Sequence, residues 1–292
     1  GATDERIDIV NTVDWNSKSA LLKASFPVAF DAPQAVYDLG MGHVARGTNT
    51  DIQYEVYAHQ WADMTSPDGS YGVTIMNDAK YGWDKPDDHT LRLTLFHTPS
   101  ASRGFGEQAT QDFGVHEFTY SIVGHSGALD PAQADIVSDC LNAEKYAFAT
   151  ESHTGALGKS VCLARSTNPA LRIKALKRAQ DGDGIIVRVY ELSGKGASGS
   201  IVFDSDILSV EEVNGIEAPL GAAPRLQAAP EGSFQPDGRV LASAAAAVSF
   251  EGRSFKVESG RFALRTFRVR LAGPATRVKA ASYKTLDLPF NT

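Results

Sequence analysis

The sequence is poor in cysteine: Cys140 and Cys162 are the only two in 292 residues, form no Cys-x-x-Cys pair and are too few for a disulfide scaffold. No apolar run approaches the roughly 20 residues of a membrane-spanning helix, and no Lys/Arg-led apolar segment of signal-peptide type opens the chain. Basic charge is also scarce. The 28 Lys and Arg are outnumbered by 35 Asp and Glu, leaving a formal charge of −7, whereas nucleic-acid binding calls for a basic stripe. Neither nucleic acid nor membrane is expected as a partner, and the compartment stays open with the cytoplasm favoured. Catalytic signatures are missing as well. There is no Walker-type phosphate loop, no His-Glu-x-x-His, no Gly-x-Ser-x-Gly elbow and no cysteine pair at zinc spacing. Gly104-Phe105-Gly106 lacks the third glycine and the preceding βαβ unit of a dinucleotide site.

What the chain does have is period-2 patterning. Leu91, Leu93 and Leu95 alternate with Arg92 and Thr94; Phe118, Tyr120 and Ile122 alternate with Thr119 and Ser121; Ile52, Tyr54 and Val56 alternate with Gln53 and Glu55. Half-buried strands need this spacing because successive side chains point to opposite faces. In the second half, Leu171, Ile173 and Ala175 alternate, Asp181-Gly182-Asp183-Gly184 follows, and Ile185 to Tyr190 resumes, which reads as a hairpin. Arg261 to Leu271 alternates with a phase slip near Arg265 and Thr266, read as a β-bulge. One helix is expected near 131–145, with Asp130 as cap, Pro131 in the first turn and Ile136, Val137, Cys140 and Leu141 at helical spacing. The alanine run 242–247 reads as strand and Ala218 to Gly238 as a surface loop. The expectation is an all-β fold of two sandwich domains, with a boundary in the Ser/Thr/Gly-rich stretch between Thr150 and Ala170.

Several polar groups invite a chemical reading. His116-Glu117 follows Asp112-Phe113-Gly114, placing an imidazole and two carboxylates at one loop-to-strand junction. Such a cluster can grip hydroxyls or exchange protons, or it can be a polar turn. His43, His97 and His125 read as structural histidines for want of a second ligand at metal spacing. Asp181 and Asp183 supply too few oxygens for calcium, and Asp84 to Asp88 reads as a solvated acidic turn. Trp15, Trp61 and Trp83 are either sugar-stacking platforms or core residues.

Read in order, these segments resemble a known family. Arg6 to Trp15, Leu21 to Val28, Gly42-His43-Val44-Ala45-Arg46, Tyr71 to Trp83, Leu91 to Leu95, Asp112 to Tyr120, Lys177 to Glu191 and Leu264 to Val269 resemble the C-terminal β-region of glycoside hydrolase family 38 α-mannosidases, of the vacuolar/cytosolic and bacterial type. The resemblance implies a galactose-mutarotase-like supersandwich over 1–165, which borrows strands from the second half, and a smaller antiparallel β-sandwich with a tail over 166–292. It also implies a retaining glycosidase whose zinc and nucleophile lie in an N-terminal catalytic domain ahead of this sequence. That domain and α-mannoside glycans are then the expected partners. No catalytic or metal-binding residue carries over to this chain, and no cofactor is expected in it. Asn77, Asp78, Lys80, Tyr81, Asp112, His116 and Glu117 are the candidates for a surface facing the mannoside cleft. The sequence departs from the family pattern at Arg46-Gly47-Thr48-Asn49 and between Ser100 and Gln111, loops that bear on aglycone preference if they border that cleft. A free-standing carbohydrate-binding module and a mutarotase-like epimerase working through His116 are the alternatives.

Overall fold

The structure, a computed structural model, describes residues 6–100, 111–143, 146–147, 149, 151, 154, 160–220 and 248–273. The alanine run, the loop 221–238, Arg103 to Gly106 and the tail beyond Gly273 lie outside the described residues. The described residues are all-β apart from one helix, and the chain divides into two compact units. The first comprises Gly1–Thr154 with Glu191–Ala197 and Gly260–Ala263; the second comprises Gly155–Tyr190, Ser198–Ser259 and Leu264–Thr292.

In chain order the first unit forms β1 (Arg6–Trp15), β2 (Ala20–Pro27), β3 (Ala35–Asp38), β4 (His43–Arg46), β5 (Val56–Tyr57), β6 (Trp61–Thr65), β7 (Tyr71–Asn77), β8 (Gly82–Asp87), β9 (Thr90–Thr98), β10 (Gly114–Ser126) and α1 (Pro131–Asn142). A six-stranded sheet runs β1-β10-β7-β6-β3-β4, and a four-stranded sheet runs β2-β9-β8-β5. Their inner faces meet in one core, where Tyr37, Met64 and Ile75 pack with Trp83, Leu91 and Leu93. The alternation on β9 therefore does what it promised: Leu91 and Leu93 point inward while Arg92 and Thr94 point out. Leu22 pairs with Phe96 and Lys23 with Thr94, so Leu95 is an extra residue. This bulge adds Phe96 to a second apolar cluster with Trp15 and Phe118. All three tryptophans are buried, which excludes them as exposed sugar platforms.

Helix α1 begins as expected, with the Asp130 carboxylate accepting from Ala132 N at 3.0 Å and Pro131 in the first turn. It packs through Ala134, Val137 and Leu141 against Trp61 and Met76. Cys140 is exposed, not part of the packed face.

Three local expectations fail. Ile52 and Tyr54 lie in a loop, and only Val56–Tyr57 forms strand β5. Thr50 and Gln53 exchange backbone bonds, and Gln53 N also bonds the Thr50 hydroxyl at 3.0 Å. That local turn outcompetes the extended conformation. Asp84 is no solvated turn residue: it lies in β8 with its side chain fully buried. Its carboxylate accepts from Lys23 Nζ at 2.7 Å, from Asn49 Nδ2 at 2.9 Å and from the Arg92 guanidinium. Burial would raise its pKa, but Arg92, Lys23 and Asn49 outweigh that and hold it below the ordinary carboxylate value. Lys85 is buried too, its ammonium donating to the Asp87 carbonyl at 2.5 Å.

The second unit forms β11 (Ala164–Ser166), β12 (Leu171–Arg178), β13 (Ile185–Glu191), β14 (Ala197–Phe203), β15 (Ile207–Val213), β16 (Phe250–Glu251), β17 (Ser254–Ser259) and β18 (Leu264–Leu271). Sheets β11-β14-β17-β16 and β12-β13-β18-β15 enclose a core in which Phe255 meets Phe203 and Phe267, with ring centroids 6.4 and 5.0 Å away. The Asp181–Gly184 hairpin is present, and Ala179 N bonds Gly184 O at 3.0 Å. The expected bulge at Arg265 is absent, because β13 and β18 pair without interruption from Leu264 to Val269. The irregularity lies on β15 between Ile207 and Ser209. The phase slip instead reflects the turn before β18, where Phe262 holds φ +52°.

His125, at the end of β10, joins three segments of the first unit. Its Nε2 lies 2.9 Å from Asp63 Oδ2 and its Nδ1 3.2 Å from Gly127 O. The Asp63 carboxylate also accepts from Thr74 and Thr65, each at 2.7 Å. Both imidazole nitrogens face acceptors, so the doubly protonated ring satisfies the site. The Asp63 bond raises the His125 pKa against the opposing effect of burial. A folded pKa above the unfolded value stabilises fully below the unfolded pKa, and that contribution is lost as pH rises through the folded pKa. The urea midpoint of the wild type should exceed that of His125→Gln most clearly near pH 5. The gap should narrow steadily towards pH 9; a gap that widens with pH would contradict this assignment.

Candidate functional site

Most of the sequence-selected residues gather around the turn that joins β7 to β8. Asn77 ends β7 with 0% exposure, because its amide is consumed in building that turn. Nδ2 donates to His59 O at 3.3 Å and Gln60 O at 3.4 Å, and Oδ1 accepts from Lys80 N at 2.7 Å. Asp78 fastens the turn to β10: its Oδ2 accepts from Thr119 N at 2.8 Å, and its own N donates to Thr119 O at 3.1 Å. Both are what a hydrogen-bonded turn requires.

Lys80 points back over the apolar cluster, its ammonium 4.3 Å from the Phe96 ring centroid and 4.5 Å from that of Phe118. A cation over aromatic faces is attracted by their quadrupoles. Burial pushes the Lys80 pKa down, while Asp78 and Asp112 act to raise it. His116 sets its ring edge-on to Phe96 at 4.9 Å, and its Nε2 lies 2.9 Å from Asp112 O. Asp78, Lys80, Asp112 and His116 are thus brought around one end of the sandwich, with Phe96 between them.

Glu117 and Tyr81 part from this group. Glu117 follows His116 in β10, so its exposed side chain leaves the opposite face. The adjacent His116 and Glu117 therefore form no acid–base pair. Tyr81 is 54% exposed and stacks on His59, with centroids 6.1 Å apart and planes inclined by 8°.

Sequence reading missed His59 and the buried carboxylate behind it. Asp38 accepts from Gly40 N at 2.7 Å and from Gln60 N at 2.9 Å, and its Oδ2 lies 3.7 Å from His59 Nδ1. The Asp38-Leu39-Gly40 spacing, a carboxylate bonding the backbone two residues on, is the signal that marks this turn. No group of three or more His, Cys, Asp or Glu among the described residues could hold a metal ion.

The model described as "Glycosyl hydrolases family 38 C-terminal domain" matches residues 2–104. The model described as "Glycosyl hydrolases family 38 C-terminal beta sandwich domain" matches residues 170–267. The chain belongs to the C-terminal region of glycosyl hydrolase family 38. Alpha-mannosidase G of Dictyostelium discoideum is 33% identical over 223 residues, covering 73% of this chain and 20% of that protein. Human alpha-mannosidase 2C1 is 30% identical over 190 residues, covering 62% of this chain and 17% of that protein. The crystal structure of an alpha-mannosidase from Enterococcus faecalis V583 shares the fold, with a TM-score of 0.69 at 17% identity, covering 91% of this chain and 27% of that one. The family 38 chain described here spans about a fifth of the length of the curated relatives it matches.

In this family 38 region the Asn77 amide makes its bonds inside the protein, so its replacement tests its part in the fold. Asn77→Ala should lower stability by about 1–3 kcal/mol, since it removes the side-chain partner of the Lys80 N–H and of the His59 carbonyl, while Gln60 O keeps its bond from the residue 77 backbone. Glu117→Ala should stay within about 0.5 kcal/mol of wild type. Chemical denaturation of both variants checks the contrast, and equal midpoints would refute it.

Proposed function

We propose that this chain is the non-catalytic C-terminal β-region of a retaining α-mannosidase acting on terminal α-mannosides. In this reading the β7–β8 turn, with Asp78, Lys80, Tyr81, Asp112 and His116, borders the mannoside cleft of a catalytic domain outside this sequence. Asn77 holds the turn from beneath, and Glu117 lies at the margin. The observation that carries the reading is the ordered match of two family 38 C-terminal domain models, with the first spanning Asn77 to Tyr81. The division into a mutarotase-like domain over 1–165 and a smaller sandwich over 166–292 is part of the same proposal.

Retaining hydrolysis needs a carboxylate nucleophile and a second carboxyl group placed across the scissile bond. The carboxylates near the turn have other work: Asp78 bonds a backbone N–H of β10, and Asp112 lies on the Lys80 side of the cluster. Zinc is proposed for the catalytic domain alone. The described residues offer no donor set that fits it. What this region supplies is a rigid wall: a turn locked by Asn77, a cation held over two rings, and exposed polar groups able to meet sugar hydroxyls.

The purified 292-residue chain should show no hydrolysis of p-nitrophenyl α-D-mannopyranoside above background, whereas the longer protein that includes the catalytic domain should hydrolyse it. Proton NMR of the first product formed should show the α-anomer. Steady turnover by this chain alone, or a β-anomer from the longer protein, would overturn the reading.

A further inference from the structure

Beside the β7–β8 turn, the first unit carries two exposed tyrosine rings, each braced on its inner side by a planar group. Tyr57 is 60% exposed, and the Arg46 guanidinium carbon lies 5.5 Å from its ring centroid. That guanidinium is itself held over the buried Tyr37 ring at 5.1 Å, and its Nη1 donates to the Tyr57 carbonyl at 2.9 Å. Tyr81 rests in the same way on the near-parallel His59 ring. The backbone joins the two positions: Tyr57 pairs with Gly82, and Ala58 N donates to Tyr81 O at 3.1 Å.

An ionic rim accompanies the rings. Glu55 lies over Gly82, where a Cβ would collide with Glu55 Oε1. Its other carboxylate oxygen accepts from Lys23 Nζ at 3.1 Å, and the Thr94 hydroxyl bonds Oε1 at 2.5 Å. The glycine is therefore there for space, and it sets the Glu55 carboxylate over the strand partner of Tyr57. Lys23 is tied on its other side to buried Asp84 at 2.7 Å, so this rim is anchored in the fold.

We infer that Tyr57 and Tyr81, rimmed by Glu55, form a binding platform for an α-mannoside oligosaccharide. The chemistry matches on both counts. A pyranose presents an apolar C–H face that suits an aromatic ring, and hydroxyl groups at its rim that suit a carboxylate such as that of Glu55. Rings already fixed by Arg46 and His59 lose little side-chain freedom on binding. A protein partner would need about 800 Å² of buried surface on this side, and the two separately braced rings with a charged edge fit a narrow ligand better. The choice of mannoside rests on the α-mannosidase reading; the platform itself rests on the ring geometry.

The test is titration of α-mannotriose into the 292-residue chain, followed by calorimetry and by saturation-transfer NMR. Saturable binding is expected, with Tyr57→Ala and Tyr81→Ala each weakening it about three- to tenfold. Gly82→Ala, which displaces the Glu55 carboxylate, should also weaken it. Thermal melts should confirm that the tyrosine variants, at exposed positions, remain folded. No saturable binding by the folded wild type, or binding unchanged in both tyrosine variants, overturns the inference. So does a concentration-dependent dimer that Tyr57→Ala dissociates without any sugar response. If the platform fails while the longer protein still hydrolyses α-mannosides, this inference falls alone. If mannotriose binds here but the longer protein does not act on α-mannosides, the earlier reading falls and the platform stands.

Discussion

Burial of Trp83, Leu91 and Leu93 between the two sheets of the first unit dictates everything on the outer side of the four-stranded sheet. A strand that turns these residues inward must turn Asp84, Arg92 and Thr94 outward. The outward set then has to satisfy a carboxylate that the loop through Asn49 shuts off from water. An unpaired charge in that position would be strongly destabilising, so Lys23 and Arg92 are recruited to it. Lys23 in turn holds Glu55, and Glu55 covers Gly82. A single packing choice thus propagates from the core to the exposed tyrosines through a chain of charges.

The same logic explains what was legible in the sequence. Leu91 to Leu93, Phe118 to Ile122 and the Asp181–Gly184 hairpin obey one dominant rule, and the bulge at Leu95 is where β9 departs from it. Asp130 and Pro131 announce the helix because capping is a local event. The segment from Ile52 to Val56 misleads because its alternation competes with a hydroxyl-assisted turn at Thr50 and Gln53. Asp84 misleads for the opposite reason. Acidic residues in a row suggest solvent, and nothing local reveals that Lys23 and Asn49, 61 and 35 positions earlier, will meet one of them.

The candidate site divides along similar lines. Asn77, Asp78 and Lys80 form a local turn whose residue types fit its hydrogen bonds, so their grouping could be read in advance. His116 and Glu117 are adjacent in sequence and part in space, because neighbouring residues of a strand face opposite ways. The Asp38 turn has a local signal, but its contact with His59 has none, since that depends on β3 and the end of β5 being brought together. Sequence adjacency is a good guide within a turn and a poor one along a strand.

A Cβ at Gly72 would stand 2.5 Å from the His125 Nε2 atom and 2.8 Å from the Met64 carbonyl. The glycine therefore does not serve backbone freedom; it is the vacancy into which the imidazole fits. Positions 72 and 125 thus behave as a lock and its key, and an inherited change that fills the first is tolerable only alongside one that withdraws the second.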